Sequence, residues 1–212
     1  MYGKNSKNNM KIKRYNSIGK EEIAAAKKVL KSGILSDFVG SKSKKFLGGH
    51  FVQKFENKIQ KYFKVKYAVT TNSWTSGLIT ALGALKIKPG DEVICTPWTM
   101  SACAISILHW NAIPVFADIE DKTFNIDPQS IKDCITEKTK AVITVSLYGL
   151  PTDCEEIYNI CQENNILLIE DNAECFSGLY QGVPVGCYGD AASFSFQSSK
   201  HLTSGEGGML IV

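Results

Sequence analysis

The sequence has few of the residues that build a metal site. Its three histidines, His50, His109 and His201, are not spaced with cysteines as ligand pairs, which argues against zinc. Seven cysteines (Cys95, Cys103, Cys134, Cys154, Cys161, Cys175, Cys187) form no CxxC pair. An odd, unpatterned count without a signal peptide fits a reduced cytoplasmic protein, and thiols inside apolar runs act as small hydrophobes. No apolar run approaches a membrane span, and the polar N-terminus lacks the apolar core of a signal peptide. Neither G-x-G-x-x-G nor G-x-x-x-x-G-K-[ST] occurs, so dinucleotides and nucleoside triphosphates would lack their phosphate cradles. A net charge of +3 and an apolar share of 44% exclude disorder, a nucleic-acid surface and a membrane partner. The excess lysine, in Met1 to Lys28 and Ser41 to Lys45, reads as a solvated face or loose tail.

What is present is a regular alternation. Residues 1–16 read as a flexible or extended lead. Gly19 to Ser32 carries Ile23, Val29 and Leu30 on one side and Lys27, Lys28 and Lys31 on the other, an amphipathic helix closed by Gly33. Leu35–His50 reads as an irregular loop. A second helix over Phe51–Phe63 places Phe55, Ile59 and Phe63 on one face. Short apolar runs then follow at Tyr67–Thr70, Glu92–Cys95, Ile113–Ala117, Ala141–Val145 and Ile166–Ile169. Helical stretches at Thr75–Leu85, Ser101–Trp110, Gln129–Ile135 and Cys154–Asn164 separate them. This predicts an α/β fold in three layers, a mostly parallel sheet flanked by helices. After Gly182 the chain turns to short strands, Ala191–Phe196 and Met209–Val212.

An open parallel sheet binds ligands at the carboxyl ends of its strands, and three groups lie there. Asn72-Ser73-Trp74-Thr75-Ser76-Gly77 runs from a strand into a helix, where hydroxyls and N–H groups suit a phosphate. Ser73 or Thr75 could equally be an ordinary N-cap. Glu170-Asp171 follows an apolar strand as a metal ligand, a general base, a cap or the partner of a ring nitrogen; a buried carboxylate needs a positive partner to stay charged. Lys200 stands among hydroxyls before a Gly-rich turn, a candidate imine-forming amine or a solvated surface lysine. Trp98 reads as a ring-stacking plate or as a core residue beneath the next helix. A phosphate site, an acid for a ring nitrogen and an imine lysine, in that order on one sheet, are the parts that pyridoxal-phosphate (PLP) chemistry requires.

These segments resemble the DegT/DnrJ/StrS family of PLP-dependent sugar aminotransferases of fold type I. The resemblance runs from about Ser17 to the last residue. It rests on Gly90-Asp91-Glu92-Val93-Ile94, Pro114 to Ile119, Leu147-Tyr148-Gly149, Glu170-Asp171-Asn172-Ala173-Glu174, and the F-S-F-x-x-x-K…G-E-G-G run from Phe194 to Gly208. It implies a PLP-binding large domain over residues 17–212. Lys200 would form the Schiff base and shuttle the proton between substrate carbon and cofactor, and Asp171 would keep the ring nitrogen protonated. Thr75, Ser76 and Ser195 would bind the phosphate, Trp98 would stack on the ring, and Glu174 would meet the phenolic oxygen. The reaction implied is transfer of an amino group, typically from glutamate, to a keto nucleotide-sugar in polysaccharide or glycan biosynthesis, by a cytoplasmic homodimer in full-length form.

The sequence departs from the family pattern at Trp74 (usually Gly), Ser146 and Gln197 (usually His) and Glu174 (usually Gln), where a carboxylate beside a phenolate would repel it unless protonated or turned away. Family chains continue into a small C-terminal domain, so the expectation is a chain truncated before it. Two alternatives remain open: a PLP-dependent sugar dehydratase, which Lys200 argues against because that branch carries His there, and a truncated, inactive remnant with a binding or regulatory role.

Overall fold

The computed structural model describes residues 16–212; the expectation of a flexible lead falls, up to residue 15, outside them. The chain divides into two units at Ser36/Asp37. The first contains helix α1 (Lys20–Ser32). Its N-terminus is closed by Gly19 N–H donating to Glu22 Oε2 at 2.7 Å, and Gly33 ends it in the left-handed conformation. Lys27, Lys28 and Lys31 are exposed as expected, but Ile23 and Leu30 are exposed too, and no α1 side chain is buried.

The second unit carries the rest. Helix α2 (His50–Phe63) begins at the residue where the expected loop ended. The parallel alternation follows as β1 (Ala68–Thr71), α3 (Trp74–Ala84), β2 (Glu92–Cys95), α4 (Ala102–His109), β3 (Ile113–Phe116), α5 (Pro128–Cys134), β4 (Thr139–Val145), α6 (Cys154–Glu163) and β5 (Leu167–Asp171). A two-strand hairpin, β6 (Leu179–Tyr180) and β7 (Val183–Pro184), precedes β8 (Ala191–Ser195) and β9 (Gly208–Ile211). Gln181 and Gly182 both take positive φ in the hairpin turn, the geometry that tight two-residue hairpins require.

Seven strands form one sheet in the order β1-β9-β8-β5-β4-β2-β3. All neighbours from β8 through β3 run parallel, while β9 is antiparallel to both β1 and β8. The expectation of a mostly parallel sheet in three layers holds.

Period-two alternation sends successive residues of each strand to opposite faces. On one face Val93, Cys95, Ala141, Ile143, Val145 and Ile169 pack under Leu78 and Leu82 of α3 and Cys103 and Ile107 of α4. On the other, Ile94, Val142 and Leu168 meet Ile131 of α5 and Ile157, Ile160 and Cys161 of α6. The α2 stripe forms a third cluster with β8 and β9. Phe63 lies 4.9 Å from Phe194, and Phe55 5.2 Å from Phe196, ring centre to ring centre, separations typical of favourable aromatic pairs.

Strand β5 runs two residues beyond the apolar segment expected for it, through Asp171. Glu170 and Asp171 are therefore strand residues, not loop residues, and the alternation sends them to opposite faces.

Candidate functional site

The helix-bearing face that holds α3 and α4 opens at the carboxyl ends of β1, β2, β4, β5 and β8 into a cavity of about 780 Å³. Thr75, Trp98, Asp171, Glu174, Ser195 and Lys200 all line it. Six of the seven residues singled out from the sequence are thus brought to one wall from segments 125 positions apart. Ser76 is not among them. Its hydroxyl lies 3.0 Å from Ser73 Oγ, and its N–H donates to the same oxygen at 3.2 Å.

Ser73 is therefore the N-cap of α3, as the plainer reading of the segment had it. It also lines the cavity, and the first turn of α3 points its partial positive charge that way. Two glycines let the sheet come against this turn. A Cβ on Gly208 would fall 2.4 Å from the carbonyl carbon and oxygen of Ser73, and one on Gly77 would fall 2.2 Å from Ser193 Oγ. Neither approach is possible with a side chain, which gives a physical reason for the last glycine of the G-E-G-G run. Ser195, at the end of β8, is buried, and its Oγ accepts the Gln197 N–H at 3.3 Å.

Asp171 ends β5 and is 1% exposed. Its Oδ1 accepts the Ala173 N–H at 3.0 Å and its Oδ2 accepts the thiol of Cys103 at 3.1 Å. Burial pushes its pKa up to about 7; the Ala173 and Cys103 donors and the nearby Trp74 indole oppose that rise, and the negative charge of Glu174 adds to it. The Trp74 N–H, itself buried, makes no well-formed hydrogen bond. Lys200, among the described residues the one cationic side chain on the cavity wall, pairs with Glu174 instead, Nζ to Oε1 3.6 Å.

Glu174 is held at both oxygens, because Oε2 accepts the backbone N–H of Tyr148 at 2.9 Å. The carboxylate expected to face a phenolic oxygen is thus turned to a donor and a cation. Tyr148 sits in the left-handed region (φ 54, ψ 22) and exposes its ring at the cavity mouth. Lys200 stands at the end of a tight turn: its N–H donates to the Gln197 carbonyl at 2.9 Å, while Gln197 Oε1 accepts the Ser199 N–H at 2.8 Å. Gln197 shapes the turn that presents the lysine.

Trp98 is half exposed on the cavity wall, stacked at 6.0 Å on Phe124. The core reading of this residue is set aside: it lies beyond the end of β2 and is 50% exposed. Glu170, on the opposite face, takes no part in the cavity. It is buried and accepts the N–H groups of Gly186, Tyr188 and Gly189 at 2.6–2.8 Å.

Sequence reasoning missed Cys103, grouped with the thiols that act as small hydrophobes. The signal available was its place in the first turn of α4, at the carboxyl end of β2, where side chains face the ligand end of the sheet. It gave Tyr148 no role in the site, although Leu147-Tyr148-Gly149 is one of the segments that carry the resemblance.

Over residues 16–212 the sequence matches the family described as the DegT/DnrJ/EryC1/StrS aminotransferase family. Among curated relatives, it is 42% identical to the spore coat polysaccharide biosynthesis protein SpsC of Bacillus subtilis, over 91% of this chain and 47% of that one. It is also 42% identical to the GDP-perosamine synthase of Escherichia coli O157:H7, over 77% of this chain and 45% of that one. The chain spans about half the length of these relatives. Among solved structures, the fold superposes on an aminotransferase from Psychrobacter cryohalolentis with a TM-score of 0.86 at 34% identity, over 94% of this chain and 49% of that one. It superposes on NtdA of Bacillus subtilis, solved with bound cofactor PMP, with a TM-score of 0.79 at 29% identity, over 90% of this chain and 40% of that one.

Proposed function

The chain belongs to the DegT/DnrJ/EryC1/StrS aminotransferase family, and from that premise we propose that it is the PLP-binding large domain, residues 17–212, of an enzyme that transfers an amino group from glutamate to a keto nucleotide-sugar. The observation that carries the reading is Asp171. A fully buried carboxylate costs several kcal/mol to ionise unless a cation meets it, yet the lysine on its own cavity wall is paired elsewhere. The protonated ring nitrogen of PLP is the missing partner: its positive charge would offset the burial that raises Asp171 to about 7, and the ionised carboxylate would in turn hold the proton on that nitrogen.

The other residues fit the same group. The first turn of α3 at Thr75, with Ser195 across from it, offers N–H and hydroxyl donors of the kind a phosphate takes. Trp98 presents a ring face at the mouth. Lys200 supplies the primary amine for attachment, and Glu174, by pairing with it, holds that amine toward the cavity until cofactor arrives. Bound there, PLP supplies an electron-withdrawing ring that stabilises negative charge on the carbon next to the transferred nitrogen. The Lys200 amine would be the group placed to carry the proton between that carbon and the cofactor.

The keto nucleotide-sugar as acceptor, and a place in polysaccharide or glycan biosynthesis, are supported by the GDP-perosamine synthase and SpsC likenesses. The reading extends to a homodimer working in the cytoplasm; no helix among the described residues is long and apolar enough to cross a membrane.

The test is titration with PLP, borohydride reduction and peptide mass spectrometry. The expected result is a reduced adduct on the peptide containing Lys200, abolished in Lys200→Ala and weakened at least tenfold in Asp171→Asn. Stoichiometric adduct elsewhere, or none, overturns the reading. With the full-length protein, transfer of ¹⁵N from glutamate to a keto nucleotide-sugar tests the reaction, and loss of water without nitrogen transfer refutes it.

A further inference from the structure

Cys103 is a buried side chain that the proposed chemistry leaves unused. It lies in the first turn of α4, 0% exposed, with Sγ 3.1 Å from Asp171 Oδ2. We propose, resting on the PLP reading above, that Cys103 is a positioning residue, whose S–H fixes the plane of the Asp171 carboxylate so that its open edge faces the cofactor ring nitrogen.

The argument starts from the side chain itself. The last torsion of an aspartate is broad and roughly two-fold, so one contact does not set the plane of its carboxylate. Asp171 has one local contact, the Ala173 N–H two residues on, at 3.0 Å. A turn of this kind moves with its own loop. The thiol is the second contact and comes from a different element, α4, 68 positions away in sequence and packed in the core that α3 and α4 form with the sheet. With one donor on each oxygen the plane is determined. Each oxygen keeps a lone pair, as an incoming ring N–H requires.

A thiol can do this only while it holds its proton. Burial raises the Cys103 pKa well above the ordinary cysteine value, and the neighbouring Asp171 charge raises it further. The groups facing the pair come from every packed element: the Trp74 indole from α3, Cys95 from the end of β2, Thr99 from the loop before α4, and Glu174 from the loop after β5. Of these Glu174 is the carboxylate, and its negative charge raises Asp171 whereas the thiol lowers it.

The experiment reads the Asp171 titration directly in the cofactor-free protein, by ¹³C NMR of the labelled aspartate carboxyl carbon, assigned by its loss in Asp171→Asn. Removing a hydrogen bond to a carboxylate destabilises the ionised form, so Cys103→Ala should raise the midpoint by about one pH unit. It should also weaken PLP about five- to tenfold, read by absorbance titration. Cys103→Ser, with a stronger donor of similar size, should bring the midpoint to or below the wild-type value and restore PLP affinity. A structural role alone would change thermal stability in both variants and leave the midpoint where it was.

An unchanged midpoint in Cys103→Ala overturns the proposal, as does a midpoint raised equally in both variants. If Cys103→Ala does not fold, Cys103→Ser decides alone: a midpoint above the wild-type value refutes the role. The midpoint is read without cofactor. A chain that binds no PLP therefore refutes the cofactor reading and still reports the coupling. A chain that binds PLP identically in all three forms refutes the positioning role by itself.

Discussion

Replacing Asp171 by Asn should stabilise the cofactor-free protein while removing its grip on PLP. Burial holds the Asp171 pKa at about 7 against an ordinary value of 3.8. A carboxyl raised in the folded state holds its proton longer there than in the unfolded chain. Its contribution is therefore intact below the unfolded value and is lost as pH climbs through the folded one. The window runs from about pH 4 to about pH 7, at about 1.4 kcal/mol per pH unit. The full cost at neutral pH is roughly 4 kcal/mol for a group this deeply buried. Asparagine cannot ionise and escapes it. It keeps one carbonyl oxygen for the Cys103 or Ala173 donor, but leaves one of the two poorly paired, a loss of about 1–2 kcal/mol. The net gain for the variant at pH 8 is then about 2 kcal/mol, shrinking and reversing toward pH 4. Urea denaturation of both proteins from pH 4 to pH 8 measures it as the difference in midpoint at constant slope. A difference that does not change with pH, or a variant less stable at pH 8 than at pH 4 relative to wild type, refutes the reasoning. The same variant in the presence of PLP should gain almost nothing from the ligand, whereas wild type should gain in proportion to the logarithm of its concentration.

Much of this was legible before any coordinate, for a stated reason. Apolar runs of four or five residues separated by helical stretches leave a parallel sheet with helices on both faces as the simple solution. Ligands in such a sheet collect at the carboxyl ends of the strands. That rule alone brings Thr75, Trp98, Asp171 and Lys200 within reach of one another. What the sequence did not carry is set by side-chain contacts from distant segments. By residue type and apolar neighbours Cys103 is not distinguished from Cys161, a thiol packed among isoleucines; only its place at the start of α4, at the ligand end of the sheet, sets it apart. Ser76 and Thr75 look alike, and only the N-cap geometry shows that Ser76 is turned back on Ser73. The antiparallel β9 is a matter of chain reversal between Ser195 and Gly208, which apolar pattern does not encode. Glu170 and Asp171 show the point most directly. They are adjacent, both acidic and both buried, and ending the strand at Ile169 hid that the pleat separates them. Asp171 faces a cavity with two donors on it; Glu170 faces a loop with three. The first is left with lone pairs for a ligand, and the second is consumed by the fold.

Gly208→Ala should destabilise the protein by about 2–3 kcal/mol, since its Cβ would meet rigid backbone at Ser73 and not a movable side chain; calorimetry showing no shift in Tm would refute the close approach. Glu174→Ala should speed hydrogen exchange at the Tyr148 amide, whereas Glu174→Gln, which keeps an acceptor for that N–H, should leave it near wild type; equal exchange in the two variants counts against the Glu174–Tyr148 hydrogen bond. Glu170→Gln provides the sharpest contrast with Asp171→Asn. Burial raises the Glu170 pKa too, and the N–H groups of Gly189, Gly186 and Tyr188 oppose that rise. Both acids thus carry a desolvation cost that an amide escapes. The difference lies in what the amide leaves behind. Gln offers one acceptor oxygen to three buried donors, two of which met Oε1 and one Oε2. Its NH₂ would also face a backbone N–H, a donor against a donor. At about 1–3 kcal/mol for each buried donor left unpaired, the loss exceeds the relief, and Glu170→Gln should be destabilised by about 2 kcal/mol at pH 7. PLP affinity of the folded fraction should be unchanged, because Glu170 lies on the face away from the cavity. A Gln variant as stable as wild type, or one that folds normally and binds PLP tenfold worse, would show that the two faces of β5 are not divided between structure and site as the alternation requires.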